Sequence, residues 1–81
     1  MPGRDFSWAL EMCKEGMKIF RMGWNGKGMY IDLQLPDENS KMTSPYLFIK
    51  TADGKFCPWV ASQTDILATD WVATRTVGAS N

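Results

Sequence analysis

The chain contains no histidine and only two cysteines, and this scarcity narrows the chemistry open to it. Without histidine, acid–base work near neutral pH falls to perturbed carboxylates, lysines, cysteines or tyrosines. Asp32 and Asp65 are the carboxylates nearest to a candidate site, and neither stands in a catalytic spacing. Cysteines and carboxylates also lack the spacing of metal ligands. We therefore predict a protein that is not an enzyme and that uses no metal or cofactor.

An excess of charge and a long apolar run are also missing. Nine basic and nine acidic residues cancel, so the clustered cationic surface needed to bind duplex nucleic acid is not visible. A small anionic ligand that needs two or three local donors stays compatible with this balance. No apolar run suits a signal peptide or a membrane span. We expect a soluble cytoplasmic protein that binds neither duplex nucleic acid nor membranes.

Length limits what one copy can bury. With 81 residues the chain is predicted to form a single domain over residues 1–81. A monomer of this size buries roughly 60–65% of its unfolded surface, so its stability is marginal without a staple or a partner. We interpret Cys13 and Cys57 as buried free thiols rather than a disulfide. Association of identical copies is then the natural remaining source of stability.

Two helices are predicted, one near each end of the chain. The first covers Asp5–Glu15, with Asp5 or Ser7 as its N-cap and Gly16 as the left-handed residue that ends it. A capping box over residues 62–65 begins a second, short helix that extends through Ala68. The apolar stripe of the first helix has helical spacing and comprises Phe6, Ala9, Leu10, Cys13 and Met17.

Trp8 and Met12 project nearly opposite that stripe. Apolar bulk on the second face of a terminal helix indicates a subunit contact, and the alternative is a tryptophan partly covered by the C-terminal tail. The same pair supports a second functional hypothesis. In it, the protein is an adaptor or inhibitor that binds a host protein through this apolar helix face.

The other segments are predicted strands of one antiparallel sheet, at residues 18–22, 29–35, 46–51, 56–59 and 71–77. The pair Asp53-Gly54 is typical of a tight hairpin turn, and Pro58 indicates an edge strand or a strand end. We therefore predict an α+β fold with a small antiparallel sheet, an N-terminal helix and a short C-terminal helix.

Alternation in the second strand gives it two faces. Met29, Ile31, Leu33 and Leu35 share one face. The opposite row, Tyr30, Asp32 and Gln34, either lines a groove or is the solvated side of the sheet, and solvation is the commoner arrangement.

The first candidate site is the loop from Gly23 to Gly28. Trp24 offers a flat face for a planar group such as a nucleobase, and Asn25 offers both a donor and an acceptor. Gly26 allows a sharp bend and close approach to a ligand, and Lys27 is a mobile cation within reach of a phosphate. The alternative is an ordinary turn in which Trp24 fills the core.

The second candidate site follows Pro58. Trp59 is placed where a strand stops, and either binding or core packing explains it. The amides at Ser62 and Gln63 begin a helix and could receive an anion. Asp65 either accepts a hydrogen bond from a ligand or caps its own helix, and capping is the commoner role.

One ordered set of motifs extends from Phe6 to Trp71, nearly the whole chain. It comprises Phe6-x-x-Ala9-Leu10, Gly16, Arg21-x-Gly23-Trp24-Asn25-Gly26-Lys27-Gly28-Met29-Tyr30, Pro45-Tyr46, Lys50-Thr51-Ala52-Asp53-Gly54, Pro58-Trp59, Ser62-Gln63-x-Asp65-x-Leu67-Ala68 and Asp70-Trp71. In this order the motifs resemble a family of small phage and prophage domains, long catalogued as of unknown function, that includes the second type of Thoeris anti-defence protein.

The resemblance implies a non-enzymatic sponge in the cytoplasm of the bacterial host. Such proteins hold intact the cyclic ADP-ribose isomer (glycocyclic ADP-ribose, for example) made by a Thoeris sensor, so that the effector is never activated. Related members hold cyclic oligonucleotide signals of the CBASS type. The resemblance also implies a homo-oligomer, a tetramer in known members, with nucleotide pockets between protomers. The matched residues expected to contact such a ligand are Trp24, Asn25, Gly26, Lys27, Trp59, Ser62, Gln63 and Asp65.

Overall fold

The computed structural model describes residues 4–24 and 28–75, which form two helices and a five-stranded sheet. In chain order the elements are α1 (Phe6–Lys14), β1 (Lys18–Arg21), β2 (Tyr30–Gln34), β3 (Tyr46–Lys50), β4 (Phe56–Pro58), α2 (Gln63–Leu67) and β5 (Trp71–Thr74). Every strand pair is antiparallel, in the spatial order β4-β3-β2-β1-β5. The predicted α+β class, with an antiparallel sheet, an N-terminal helix and a short later helix, is confirmed.

Helix α1 begins and ends as its sequence predicts. The Asp5 carboxylate accepts a hydrogen bond from the Trp8 N–H at 2.9 Å, which satisfies one of the free amides of the first turn. Gly16 has a φ of 101°, in the region that glycine adopts without steric cost. Before the helix, Arg4 exchanges two backbone hydrogen bonds with Trp71, both 2.9 Å, at the outer edge of β5.

The apolar face of α1 is rotated from its predicted position. Ala9 and Cys13 are its fully buried residues, and Trp8 and Met12 pack against the same core. The prediction that Trp8 and Met12 face away from the core is therefore wrong, because the buried stripe is centred between Ala9 and Cys13. The Arg4 guanidinium lies 5.0 Å from the centre of the Trp8 ring and covers part of it. The adaptor hypothesis thus loses the freely exposed face on which it rested.

The hairpin between β3 and β4 has the predicted turn. Gly54 has a φ of 89° and donates its N–H to the Thr51 carbonyl at 2.9 Å. The Thr51 hydroxyl donates to the Asp53 carboxylate, and the Thr51 N–H donates to the Lys55 carbonyl at 2.8 Å. Strand β4 lies at the edge of the sheet and ends at Pro58, as its proline indicates.

The core lies between α1 and the inner face of the sheet. Ile19 is directly opposite Ile31, and Ile31 is directly opposite Ile49, so these side chains share that face. Leu33 packs against the same core, whereas Leu35 lies beyond the end of β2 and is 60% exposed. The fully buried residues are Ala9, Cys13, Ile19, Ile31 and Trp71.

The outer face of the sheet is more aromatic than the predicted polar row suggests. Tyr30 and Asp32 are half-buried, and the Lys18 ammonium lies 4.2 Å from the centre of the Tyr30 ring. Gln34 is exposed and borders a groove of about 310 Å³ near the β4 edge. The predicted solvated face is therefore present only in part. The groove is lined by Gln34, Tyr46, Phe48, Phe56, Cys57 and Pro58.

Both cysteines are free thiols, but only one is buried. Cys13 lies in the core, and its burial, followed by the charge of Asp32, raises the pKa of its thiol to about 11. Cys57 is exposed on the edge strand. The expectation of two buried thiols is thus wrong for Cys57, because β4 is an edge strand and, over residues 4–24 and 28–75, no strand pairs with its outer side.

Truncating Ile31 should destabilise the fold far more than truncating Leu35. Ile31→Val should lower the free energy of unfolding by about 0.5–1.5 kcal/mol, because it leaves a gap in a packed core. Leu35→Ala, on the same predicted strand face, should change it by less than about 0.5 kcal/mol. Urea unfolding at one fixed protein concentration measures both values. Equal losses would contradict the placement of the core.

Candidate functional site

The two predicted aromatic segments meet on the buried ring of Trp71. The ring centroid of Trp24 lies 5.6 Å from that of Trp71, and the centroid of Trp59 lies 6.1 Å from it. Both contacts are edge-to-face, at interplanar angles of 77° and 79°. Trp71 is fully buried, whereas Trp24 and Trp59 are half-buried. Two partly accessible indoles from distant segments thus share one support.

Trp59 is held by the sheet and by α1. Its N–H donates to the Leu47 carbonyl at 3.0 Å, so the chain stays paired with β3 for one residue beyond the end of β4. The Phe6 ring from α1 lies 6.0 Å from Trp59 and 5.2 Å from Trp71. Trp59 therefore packs against the core, as one of its two interpretations predicts, and part of its surface stays accessible. Its role in binding stays a prediction.

Trp24 follows a tight turn that leaves the end of β1. Its N–H donates to the Arg21 carbonyl at 3.2 Å, and the preceding Gly23 N–H donates to an Asp70 carboxylate oxygen at 2.9 Å. A Cβ at Gly23 would lie 3.0 Å from that oxygen, so a larger residue would require the Asp70 carboxylate to shift by a few tenths of an ångström. The remaining loop candidates, Asn25, Gly26 and Lys27, lie outside the described residues.

Arg21 joins the two halves of the site through two carboxylates. Its Nε donates to Asp70 at 2.8 Å and its Nη1 donates to Asp65 at 3.0 Å. The Met22 N–H also donates to the Asp70 carbonyl, at 2.9 Å. Hydrogen bonds to Asp70 and then Asp65 raise the pKa of Arg21, and the hydrogen bond from Arg21 lowers the pKa of Asp70. We call Arg21, Asp65 and Asp70 the Arg21 triad.

Asp65 and Ser62 form the predicted cap of α2. The Ser62 hydroxyl accepts from the Asp65 N–H at 3.1 Å and donates to the Asp65 carboxylate at 3.0 Å. The Asp65 carbonyl accepts from the Trp71 indole N–H at 2.9 Å. The predicted cap by Asp65 is therefore confirmed. The Asp65 carboxylate also accepts a hydrogen bond from Arg21. Gln63 is exposed at the first position of the helix.

Sequence reasoning missed Arg21 and Asp70 as site residues and gave Trp71 only a core role. One signal was available, because Arg21 is two residues after the buried Ile19 and shares its strand face. A cation on the core side of a sheet needs a carboxylate partner. The identity of that partner was not readable, since Asp65 and Asp70 lie 44 and 49 residues further along the chain.

The described residues supply the features that recognition of a planar group requires. The accessible indoles offer stacking surfaces, and the neighbouring polar groups supply orientation. Over residues 4–24 and 28–75, no cluster of three potential metal ligands is present. No helix in these ranges is long and apolar enough to cross a membrane.

Residues 4–74 match the Thoeris anti-defense 2-like domain. The chain belongs to this family. Thoeris anti-defense 2 of Bacillus phage SP01 is 43% identical to it in an alignment of length 80, and the match covers 83% of this chain and 90% of that relative. Membership in the Thoeris anti-defense 2-like family supports a role in phage anti-defence, and the matched range contains the two indoles and the Arg21 triad.

Acid should weaken the fold through Asp70. Its pKa is lowered in the folded state, so its contribution to the free energy of unfolding is complete above the unfolded value of about 3.9. That contribution is lost as the pH falls through the lower, folded-state pKa. Asp70→Asn should therefore lose less stability than wild type between about pH 5 and pH 3, as measured by urea unfolding. Glu38→Gln, which removes an exposed carboxylate elsewhere, is the control. An unchanged slope in Asp70→Asn would contradict the coupling to Arg21.

Proposed function

We propose that this protein is a non-enzymatic sponge for a cyclic nucleotide immune signal. Its ligand class is the cyclic ADP-ribose isomers, such as glycocyclic ADP-ribose, with cyclic oligonucleotides as further candidates. Sequestration in the cytoplasm of the bacterial host would keep the Thoeris effector inactive. Family membership and the name of the Bacillus phage relative support the anti-defence part of this proposal.

One observation carries the ligand class: two half-buried indoles from distant segments rest on the same buried ring. Trp24 and Trp59 are thus fixed in position while part of each stays accessible. A rigid aromatic surface binds the π-face of a base, whatever that base is. Two such surfaces suit a ligand that carries nucleobases.

A useful sponge must bind tightly, and two stacking contacts alone are not enough. A Kd of about 10 nM corresponds to about 11 kcal/mol. Two base–aromatic stacks supply about 1–3 kcal/mol each, so polar contacts must add the rest. The candidates for these contacts are Asn25, Gly26, Lys27, Ser62, Gln63 and Asp65.

We include a homo-oligomer, a tetramer, in the proposal because one copy leaves apolar side chains exposed beside the site. Val60 follows Trp59 directly and is 88% exposed. Ile66 and Leu67 follow Asp65 in α2 and are 46% and 76% exposed. Burying such side chains contributes about 1.5–3 kcal/mol each. We call Val60, Ile66 and Leu67 the α2 patch, and a second copy that covers it would also wall the ligand site.

Replacing Trp24 should weaken ligand binding without dissociating the proposed oligomer into smaller assemblies. Trp24→Ala removes one stacking surface, so the Kd for glycocyclic ADP-ribose should rise by roughly 5- to 150-fold. Isothermal calorimetry measures the Kd, and native mass spectrometry checks the subunit count. Trp8→Ala is the matched control, because it removes a half-buried indole outside the site. An unchanged Kd in Trp24→Ala would remove this residue from the site.

The same complexes separate a sponge from an enzyme. Heating the wild-type complex should release the ligand with its mass unchanged, because the proposed function includes no turnover. Recovery of a cleaved product would contradict it. Absence of any bound mass across cyclic ADP-ribose isomers, cyclic dinucleotides and cyclic trinucleotides would refute the sponge proposal itself.

A charge on the α2 patch should disrupt the oligomer. Leu67→Glu places a carboxylate where the proposed contact excludes water, which is costly for an unpaired charge. Native mass spectrometry should show a shift to smaller assemblies. Met42→Glu, at another exposed apolar side chain, is the matched control and should leave the subunit count unchanged. A wild-type assembly in Leu67→Glu would exclude the patch as a subunit contact.

A further inference from the structure

We propose that Arg21 is a positioning residue that sets the separation of Trp24 and Trp59 without touching the ligand. We call these two indoles the Trp24 wall and the Trp59 wall of the site. The inference rests on the proposed function, since it concerns the same site. It assigns to the Arg21 triad a task beyond holding the fold together: it makes the site rigid before the ligand arrives.

Arg21 acts on the Trp24 wall through Asp70. Asp70 receives Arg21 Nε on one carboxylate oxygen and the Gly23 N–H on the other, at 2.8 and 2.9 Å. Both carboxylate oxygens are therefore engaged by the segment that leads directly into Trp24. Without Arg21, the Asp70 carboxylate would lose its ion pair and keep only backbone amides as partners. The carboxylate would then hold the turn before Trp24 less firmly.

Arg21 acts on the Trp59 wall through Asp65 and Trp71. Arg21 Nη1 holds Asp65, whose main-chain carbonyl accepts the Trp71 indole N–H at 2.9 Å. The Trp71 ring in turn contacts Trp59. One guanidinium thus links the turn before Trp24 to the ring against which both accessible indoles pack.

The geometry requires arginine in particular. The guanidinium uses two different nitrogens for two carboxylates that belong to different parts of the chain. A lysine ammonium carries the same charge on a single nitrogen and lacks the planar fork needed to hold both carboxylates in this arrangement. Charge alone therefore does not replace Arg21.

The guanidinium is also already paired with carboxylates of the protein. Its side chain is 20% exposed, and both ion pairs lie within 3.0 Å. Two carboxylates around one cation leave the triad with a net negative charge. A phosphate would be repelled by such a cluster, which makes a direct phosphate contact through Arg21 unfavourable. Its effect on binding must pass through the indoles, by preorganisation.

The test compares Arg21→Met and Arg21→Lys with wild type, using glycocyclic ADP-ribose as the probe. Both variants should raise its Kd by about tenfold or more, the scale on which supporting residues act. The dependence of Kd on salt should stay that of wild type, because no cation is lost from the ligand contact. Arg4→Met is the matched control and should leave Kd unchanged, since Arg4 lies over Trp8 outside the site.

Two outcomes would overturn the proposal. Recovery of wild-type affinity in Arg21→Lys, or a reduced salt dependence in Arg21→Met, would make Arg21 a direct anion contact. Wild-type affinity in a folded Arg21→Met would leave it no role in binding. If Arg21→Met does not fold, Arg21→Lys retains the cation between the carboxylates and decides the question.

A second readout separates this inference from the proposed function. The near-ultraviolet circular dichroism of the indoles reports their fixed mutual packing and needs no ligand. Arg21→Lys should reduce that signal, while Arg4→Met should reduce it less. If wild type binds none of the cyclic nucleotide probes, the sponge proposal fails and this signal still tests the positioning. An unchanged aromatic signal in Arg21→Lys would overturn the positioning alone.

Discussion

The burial of the Trp71 indole is the interaction on which the rest of the structure depends. This ring is fully buried, packs against Phe6 of α1 and donates its N–H to the carbonyl of Asp65 in α2. A buried indole that lacked this partner would carry a substantial desolvation cost. Because Phe6, Trp24 and Trp59 all pack on it, the core and the candidate site have the same centre. The core and the proposed ligand site therefore depend on the same buried ring.

Electrostatics adds direction to this packing. An aromatic cluster alone is tolerant of small shifts, since edge-to-face contacts are weak and cover a range of geometries. The hydrogen bonds of the Arg21 triad are short and directional, so they select one arrangement among those that the rings would accept. The contribution of such partly exposed ion pairs to overall stability is small. Their value lies in geometry.

Local signals predicted much of the fold. The Asp5 cap, the Gly16 terminus, the Gly54 turn and the cap at Ser62 each depend on residues a few positions apart, and each is found in the structure. The rotation of α1 toward Trp8 was not predictable, because it depends on the shape of the sheet beneath the helix. The positions of the two indoles at chain bends predicted a role in ligand binding, and that role stays a prediction. Their common contact with Trp71 was not predictable, because it joins segments that only the tertiary fold brings together.

The edges of the sheet limit how another chain can approach it. Strand β4 has three residues and ends in a proline, and the first residue of the four-residue β5 is already paired with Arg4. Over residues 4–24 and 28–75, neither border offers a long row of open amides and carbonyls, on which backbone pairing is built. Contacts in the proposed homo-oligomer are therefore expected to use side chains. Recognition between copies would then depend on residue identity, which selection can alter one position at a time.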